Sequence, residues 1–91
     1  MAHELLTIRL DLSEIESILQ QGLVKPHVWR GTDGREHQEI TLFCKPLKTE
    51  REKQTHFVTM KSQNEWKDLT DAKGNRVYVG SAIAKMYNEQ K

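Results

Sequence analysis

Trp29, Phe43, Phe57 and Tyr78 each fall in a stretch where apolar and polar residues alternate, and each sits on the row opposite the aliphatic side chains. Successive side chains of an extended chain point to opposite faces, so these rings share an outward row with Lys25, Lys45, Lys61 and Arg76, with Arg30 nearby. Rings projecting from neighbouring strands among cations suit one chemistry well. Bases of single-stranded nucleic acid stack on such rings at about 1–3 kcal/mol each, while Lys and Arg meet the phosphates. The same rings serve equally as packing surface beneath a helix, a loop or the second subunit of a homodimer. Alternation fixes which residues share a face and leaves open which face is covered.

Other constellations are weaker. His27 and His37 flank a hairpin and could lie on adjacent strands, but their spacing matches no metal motif and no carboxylate pair completes a ligand set. Cys44 and His56 could form a nucleophile and base, yet Cys44 falls on the aliphatic row, where cysteine behaves as a small hydrophobe. Neither Gly31 with Gly34 nor Gly74 with Gly80 opens a long helix after a strand, so no phosphate loop is present. The expectation is a binding protein with no catalytic residues, metal or cofactor.

Five strands must position the rings. Glu4 to Leu12 alternates, with Leu6, Ile8, Leu10 and Leu12 expected inward. Ser13 and Glu16 have capping-box spacing, and Ile15, Ile18 and Leu19 form the apolar stripe of a short helix that Gly22 can stop. Val24 to Arg30 is expected as a second strand, near an edge because of Pro26, and Asp33-Gly34 as its turn. Gln38 to Leu47 would be the third strand, with Ile40, Leu42 and Cys44 on one row. The charged stretch from Lys48 to Gln54 lacks apolar anchors and reads as a loop. Thr55 to Lys61 would be the fourth strand, and Ser62 with Glu65 suggests a helical turn over Gln63 to Leu69. Asp71 to Asn75 is turn chemistry, and Arg76 to Lys85 would be the fifth strand, with Val77, Val79 and Ile83 inward.

The 91 residues suffice for one domain spanning 1–91, with an ordered core over about 4–85 and a tail over 86–91. A composition of 36% hydrophobic and 30% charged residues is that of a globular chain, not a disordered one. No stretch is long enough to span a membrane, and the start Met1-Ala2-His3-Glu4 lacks a secretory signal, so the expected setting is cytoplasmic. The single cysteine excludes an internal disulfide and fits a reducing compartment. A net charge of +1 makes whole-molecule attraction to nucleic acid weak, so binding would rest on local placement of cations.

The run Asp11-Leu12-Ser13-Glu14-Ile15 into Leu19, then a hairpin, then Gln54-Thr55-His56-Phe57-Val58-Thr59, then Val77-Tyr78-Val79-Gly80-Ser81-Ala82, resembles small single-stranded-DNA-binding-like proteins of phages and mobile elements over about residues 11–85. That resemblance implies an OB-like fold, a five-stranded antiparallel barrel whose open face and loops receive an oligonucleotide. One departure is visible: the usual order places the helix between strands three and four, whereas here it falls between strands one and two. The reading is therefore a mainly β domain, a five-stranded antiparallel OB-like barrel or strongly curved sheet with one or two short helices, that binds single-stranded nucleic acid without chemistry. A protein–protein interaction module, homodimeric, is the alternative. The residues do not distinguish DNA from RNA.

Overall fold

A computed structural model describes residues 2–88, with side-chain surroundings for 4–85. It is mainly β, with strands β1 (Ala2–Leu10), β2 (His27–Arg30), β3 (Glu36–Glu39), β4 (Leu42–Arg51), β5 (Gln54–Met60) and β6 (Tyr78–Asn88), and one helix, α1 (Leu12–Gln20). Four strands form an antiparallel sheet in the order β1-β6-β5-β4, and β2 and β3 form a separate hairpin. β1 and β4 are the sheet's two edges and do not pair, so the sheet is open and the expected five-stranded closed barrel is not formed. The cause is local. The run expected as a single third strand divides at Ile40-Thr41; its first part pairs with β2 and its second begins β4.

Several boundaries differ for identifiable reasons. β1 ends at Leu10 because Asp11, not Ser13, is the N-cap of α1: the Asp11 carboxylate accepts from the Glu14 N–H at 3.1 Å. Leu12 thus opens the helix instead of closing the strand. At the other end, Gly22 N–H donates to Leu19 and Leu23 N–H to Ile18, the paired closing bonds of a Schellman turn. The charged stretch expected as a loop continues β4 through Arg51, turns at Glu52-Lys53 and enters β5 at Gln54. No helical turn forms over 63–69; this segment bends back so that Leu69 N–H donates to Met60 and Val77 N–H to Leu69. The last strand starts at Tyr78 and runs to Asn88, so Met86 to Asn88 of the expected tail are strand, while residues 89–91 lie outside the described ones.

Register assigns the faces. Leu6, Ile8 and Leu10 lie opposite Ala84, Ala82 and Gly80, which continue across to His56, Val58, Cys44 and Pro46. Leu5, Thr7 and Arg9 lie opposite Lys85, Ile83 and Ser81, continuing to Phe57 and Lys45. Only part of the first face is covered. Ile15 and Ile18 of α1 close with Val24, Val58, Met60, Leu69 and Val79 into one buried cluster. A shift in pairing between Val58 and Thr59 inserts Val79 as an extra residue of β6; Val79 is fully buried while Tyr78 stays opposite Thr59 on the other face. Beyond the reach of α1 the expected inward row of β1 is uncovered: Leu6, Ile8 and Leu10 are 40%, 48% and 43% exposed, and Leu12 is exposed on the helix. No described helix is long and apolar enough to cross a membrane.

Candidate nucleic-acid interface

Phe43, Phe57 and Tyr78 lie together on the face opposite the core, as alternation predicts, because Phe43 and Tyr78 each pair with Thr59 and Phe57 sits one same-face step from it. Trp29 does not join them. It belongs to the β2–β3 hairpin, stacks on His37 with centroids 4.3 Å apart, and donates its indole N–H to Glu39. A fourth ring comes from the segment expected to be helical: Trp66, 77% exposed, meets the edge of Phe43 with centroids 5.3 Å apart at 73°.

The rings form two similar units. In one, exposed Trp66 is braced edge-on by half-buried Phe43, and Lys61 Nζ stands 5.7 Å from the indole centroid. In the other, Tyr78, 56% exposed, is braced edge-on by half-buried Phe57 at 5.5 Å and 81°, and the Arg76 guanidinium covers Phe57 at 4.9 Å. Edge-to-face contact suits the aromatic quadrupole, and a cation over a ring is attracted to its face. The half-buried phenylalanines thus act as supports, while Trp66 and Tyr78 present most of their surface to solvent.

Asp68 ties the two units together. Its carboxylate accepts from Lys45 at 2.9 Å and from the buried Thr59 hydroxyl at 2.8 Å, and it forms an ion pair with Arg76 at 2.9 Å. Partial burial alone would raise its pKa, but hydrogen bonds from Lys45 and Thr59 and the charges of Lys45 and Arg76 outweigh that and hold it below the usual carboxylate range. Lys45 and Arg76 are therefore placed on the face but share one countercharge. Lys61 is also on this face and donates to the Ser62 carbonyl at 2.9 Å. Lys25 is elsewhere, its backbone N–H bound by Gln63 beside a 470 Å³ cleft between the hairpin and the sheet.

Beyond Tyr78 the face opens into a groove of 740 Å³ lined by Phe57, Tyr78, Lys45, Arg76, Lys48 and Arg51 among others. Lys48 and Arg51 belong to the charged stretch that alternation could not assign, and their signal was a cation run with no apolar partner. Trp66 could have been found only as a large ring flanked by Lys61 and Lys67 in a polar segment.

His56 shares a hydrogen bond with Thr55 at 2.7 Å; Cys44, expected to pack inward as a small hydrophobe, is exposed, and the slight desolvation left to it pushes its thiol up, away from the thiolate a nucleophile needs. Among the described residues no three His, Cys, Asp or Glu side chains converge as metal ligands. No family model, curated protein or solved structure matches the chain.

Proposed function

We propose that the protein binds single-stranded nucleic acid without chemistry, on the sheet face bearing Trp66, Phe43, Phe57 and Tyr78. The observation that carries this reading is the pair of braced, exposed rings, one with Lys61 over it and the other with Arg76 over its supporting Phe57. Bases stack on Trp66 and Tyr78, while Lys61, Arg76 and Lys45 offer positive charge to the phosphates between and beyond them. Phe43 and Phe57 hold the platforms at fixed tilt. Trp29 and Lys25, on or beside the other hairpin, take no part.

A titration with a short oligothymidylate in a Trp29→Phe background, where Trp66 is the sole indole, tests this directly. Quenching of Trp66 emission is expected, and Tyr78→Ala should weaken binding by about 5- to 150-fold, the equivalent of about 1–3 kcal/mol per stacked base. Unquenched emission at saturating oligonucleotide, or undiminished affinity in both Trp66→Ala and Tyr78→Ala, rules the reading out. A parallel oligouridylate titration reports the choice between DNA and RNA.

A second reading, self-association, is favoured by a separate observation on the other face. The chain exposes 7450 Å², against about 5,500 Å² expected for a compact monomer of its 10.6 kDa mass. The uncovered Leu6, Ile8 and Leu10 row and the unpaired edge of β1 contribute to that excess. A homodimer closed there would leave the aromatic face free, so the two readings are compatible.

A further inference from the structure

We infer that the groove between Tyr78 and the β4–β5 hairpin is a subsite for a terminal phosphomonoester, so that the protein binds the phosphorylated end of a single strand in preference to its interior. This rests on the reading just given and adds the end of the polymer and the group recognised.

The argument is a charge balance along the face. At the Trp66 end the cations are matched or spaced out: Lys67 pairs with Glu65 at 3.2 Å, and Lys61 stands alone over the ring. At the Tyr78 end four cations, Lys45, Arg76, Lys48 and Arg51, line one groove. Asp68 answers the first two, and among the described residues neither Lys48 nor Arg51 lies within ion-pair distance of a carboxylate. Glu50 and Glu52 flank Arg51 in the chain but do not line the groove. The four cations and Asp68 together leave about three uncompensated positive charges in a protein whose net charge is +1.

An internal phosphodiester carries one negative charge and would leave most of this excess unanswered. A terminal phosphomonoester carries about −1.5 to −2 near neutrality and three strong acceptor oxygens. Arg51 offers the planar fork that meets two of them, and Lys48 adds a point charge. The groove continues beneath Tyr78 into a 280 Å³ recess lined by Phe57, Gln54 and Gly80, so the ring that stacks the last base is a wall of the same groove. Phosphate and base recognition are thus contiguous, and the asymmetry of charge along the face sets the direction in which the strand lies.

Three forms of one oligothymidylate, about eight nucleotides long, separate the possibilities by calorimetry: unphosphorylated, 5′-phosphorylated and 3′-phosphorylated. One phosphorylated form is expected to bind about tenfold more tightly, identifying the end, and its advantage should shrink as the pH falls through about 6, where the phosphate becomes monoanionic. The double variant Lys48→Ala/Arg51→Ala should abolish that advantage, costing the favoured phosphorylated form about tenfold more than the unphosphorylated one, and it should keep the fold, both residues being exposed and outside the core. Equal binding of all three forms by the unaltered protein overturns the subsite while the stacking reading stands, as does an equal loss for all three in the double variant. Should no form bind, the stacking reading fails, and thymidine 5′-monophosphate then decides the subsite: shifts of the Arg51 and Tyr78 amide resonances retain it for a free nucleotide, and unshifted resonances eliminate it.

Discussion

The hydroxyl of Thr59, fully buried in the middle of the sheet, donates to the Asp68 carboxylate at 2.8 Å and fixes it beneath the cations of the aromatic face. Asp68 comes from the segment that bends back along β5, where Leu69 N–H is held by the Met60 carbonyl. One carboxylate therefore anchors the Trp66-bearing segment to the sheet and sets the positions of Lys45 and Arg76.

Asp68→Asn should destabilise the protein at neutral pH by about 1–3 kcal/mol, because Lys45 and Arg76 are left facing one another without a countercharge. The pH dependence gives a sharper test. The folded-state pKa of Asp68 lies below its ordinary value, so its stabilisation is present above the unfolded pKa of about 3.9 and is lost as pH falls through the folded value. Thermal melts below about pH 4 should therefore decline less steeply in Asp68→Asn than in the unaltered protein. Parallel acid limbs for the two would remove Asp68 from this role.

The same substitution should change nucleic-acid binding in the opposite direction. Releasing Lys45 and Arg76 from Asp68 makes up to two more cations available for phosphate, so the slope of log K against log salt should steepen by about 0.7 to 1.4 for a single strand. Affinity at low salt should rise although the fold is weaker. An unchanged slope would mean that these two cations face no phosphate.

Gly80 is required for a steric reason. A Cβ there would stand 2.2 Å from the Arg9 backbone carbonyl oxygen, and backbone cannot swing aside as a side chain would. Gly80→Ala should therefore force β1 away from β6 near Leu10, costing about 1–3 kcal/mol or more and lowering the melting temperature by several degrees. Hydrogen exchange should locate the damage at the Leu10 end of β1, with the β2–β3 hairpin unaffected. A melting temperature within a degree or so of the unaltered protein would show that the strands accommodate the methyl group.

Alternation made the aromatic face largely legible: it put Phe43, Lys45 and Phe57 on one side of their strands and Val58 and Met60 on the other, as the register has them. Turn chemistry located the reversals at Asp33-Gly34, where Gly34 has φ 82°, and at Asp71 to Asn75. Strand partners were not legible, because alternation fixes faces within a strand and says nothing of which strands pair. Ile40-Thr41 divides two strands without a glycine or proline to mark the break, which is why Trp29 was grouped with rings from another sheet. Trp66 was hidden by its Ser62/Glu65 spacing, a helix signal that the return pairing of Leu69 with Met60 overrides. Lys48 and Arg51 were hidden because the stretch from Lys48 to Gln54 has no aliphatic residue and so no alternation to read.

The two aliphatic rows predict opposite responses to mutation, and that contrast tests the self-association reading. Ile18 is 2% exposed within the buried cluster, so Ile18→Ala should cost about 2–5 kcal/mol in the monomer at any concentration. Leu6 and Ile8 are 40% and 48% exposed on an edge strand with no cover, so their removal creates no cavity in the monomer. If a second copy pairs with β1, about 800 Å² per partner becomes available from the excess surface, enough for a standard interface. Leu6→Lys/Ile8→Lys should then convert a dimer into a monomer by sedimentation equilibrium and make the melting temperature independent of protein concentration. Oligonucleotide affinity per chain should be kept, since Trp66 and Tyr78 lie on the opposite face. A monomeric unaltered protein at high micromolar concentration would exclude the dimer, and loss of nucleic-acid binding in the monomeric variant would show that the two faces act as one site.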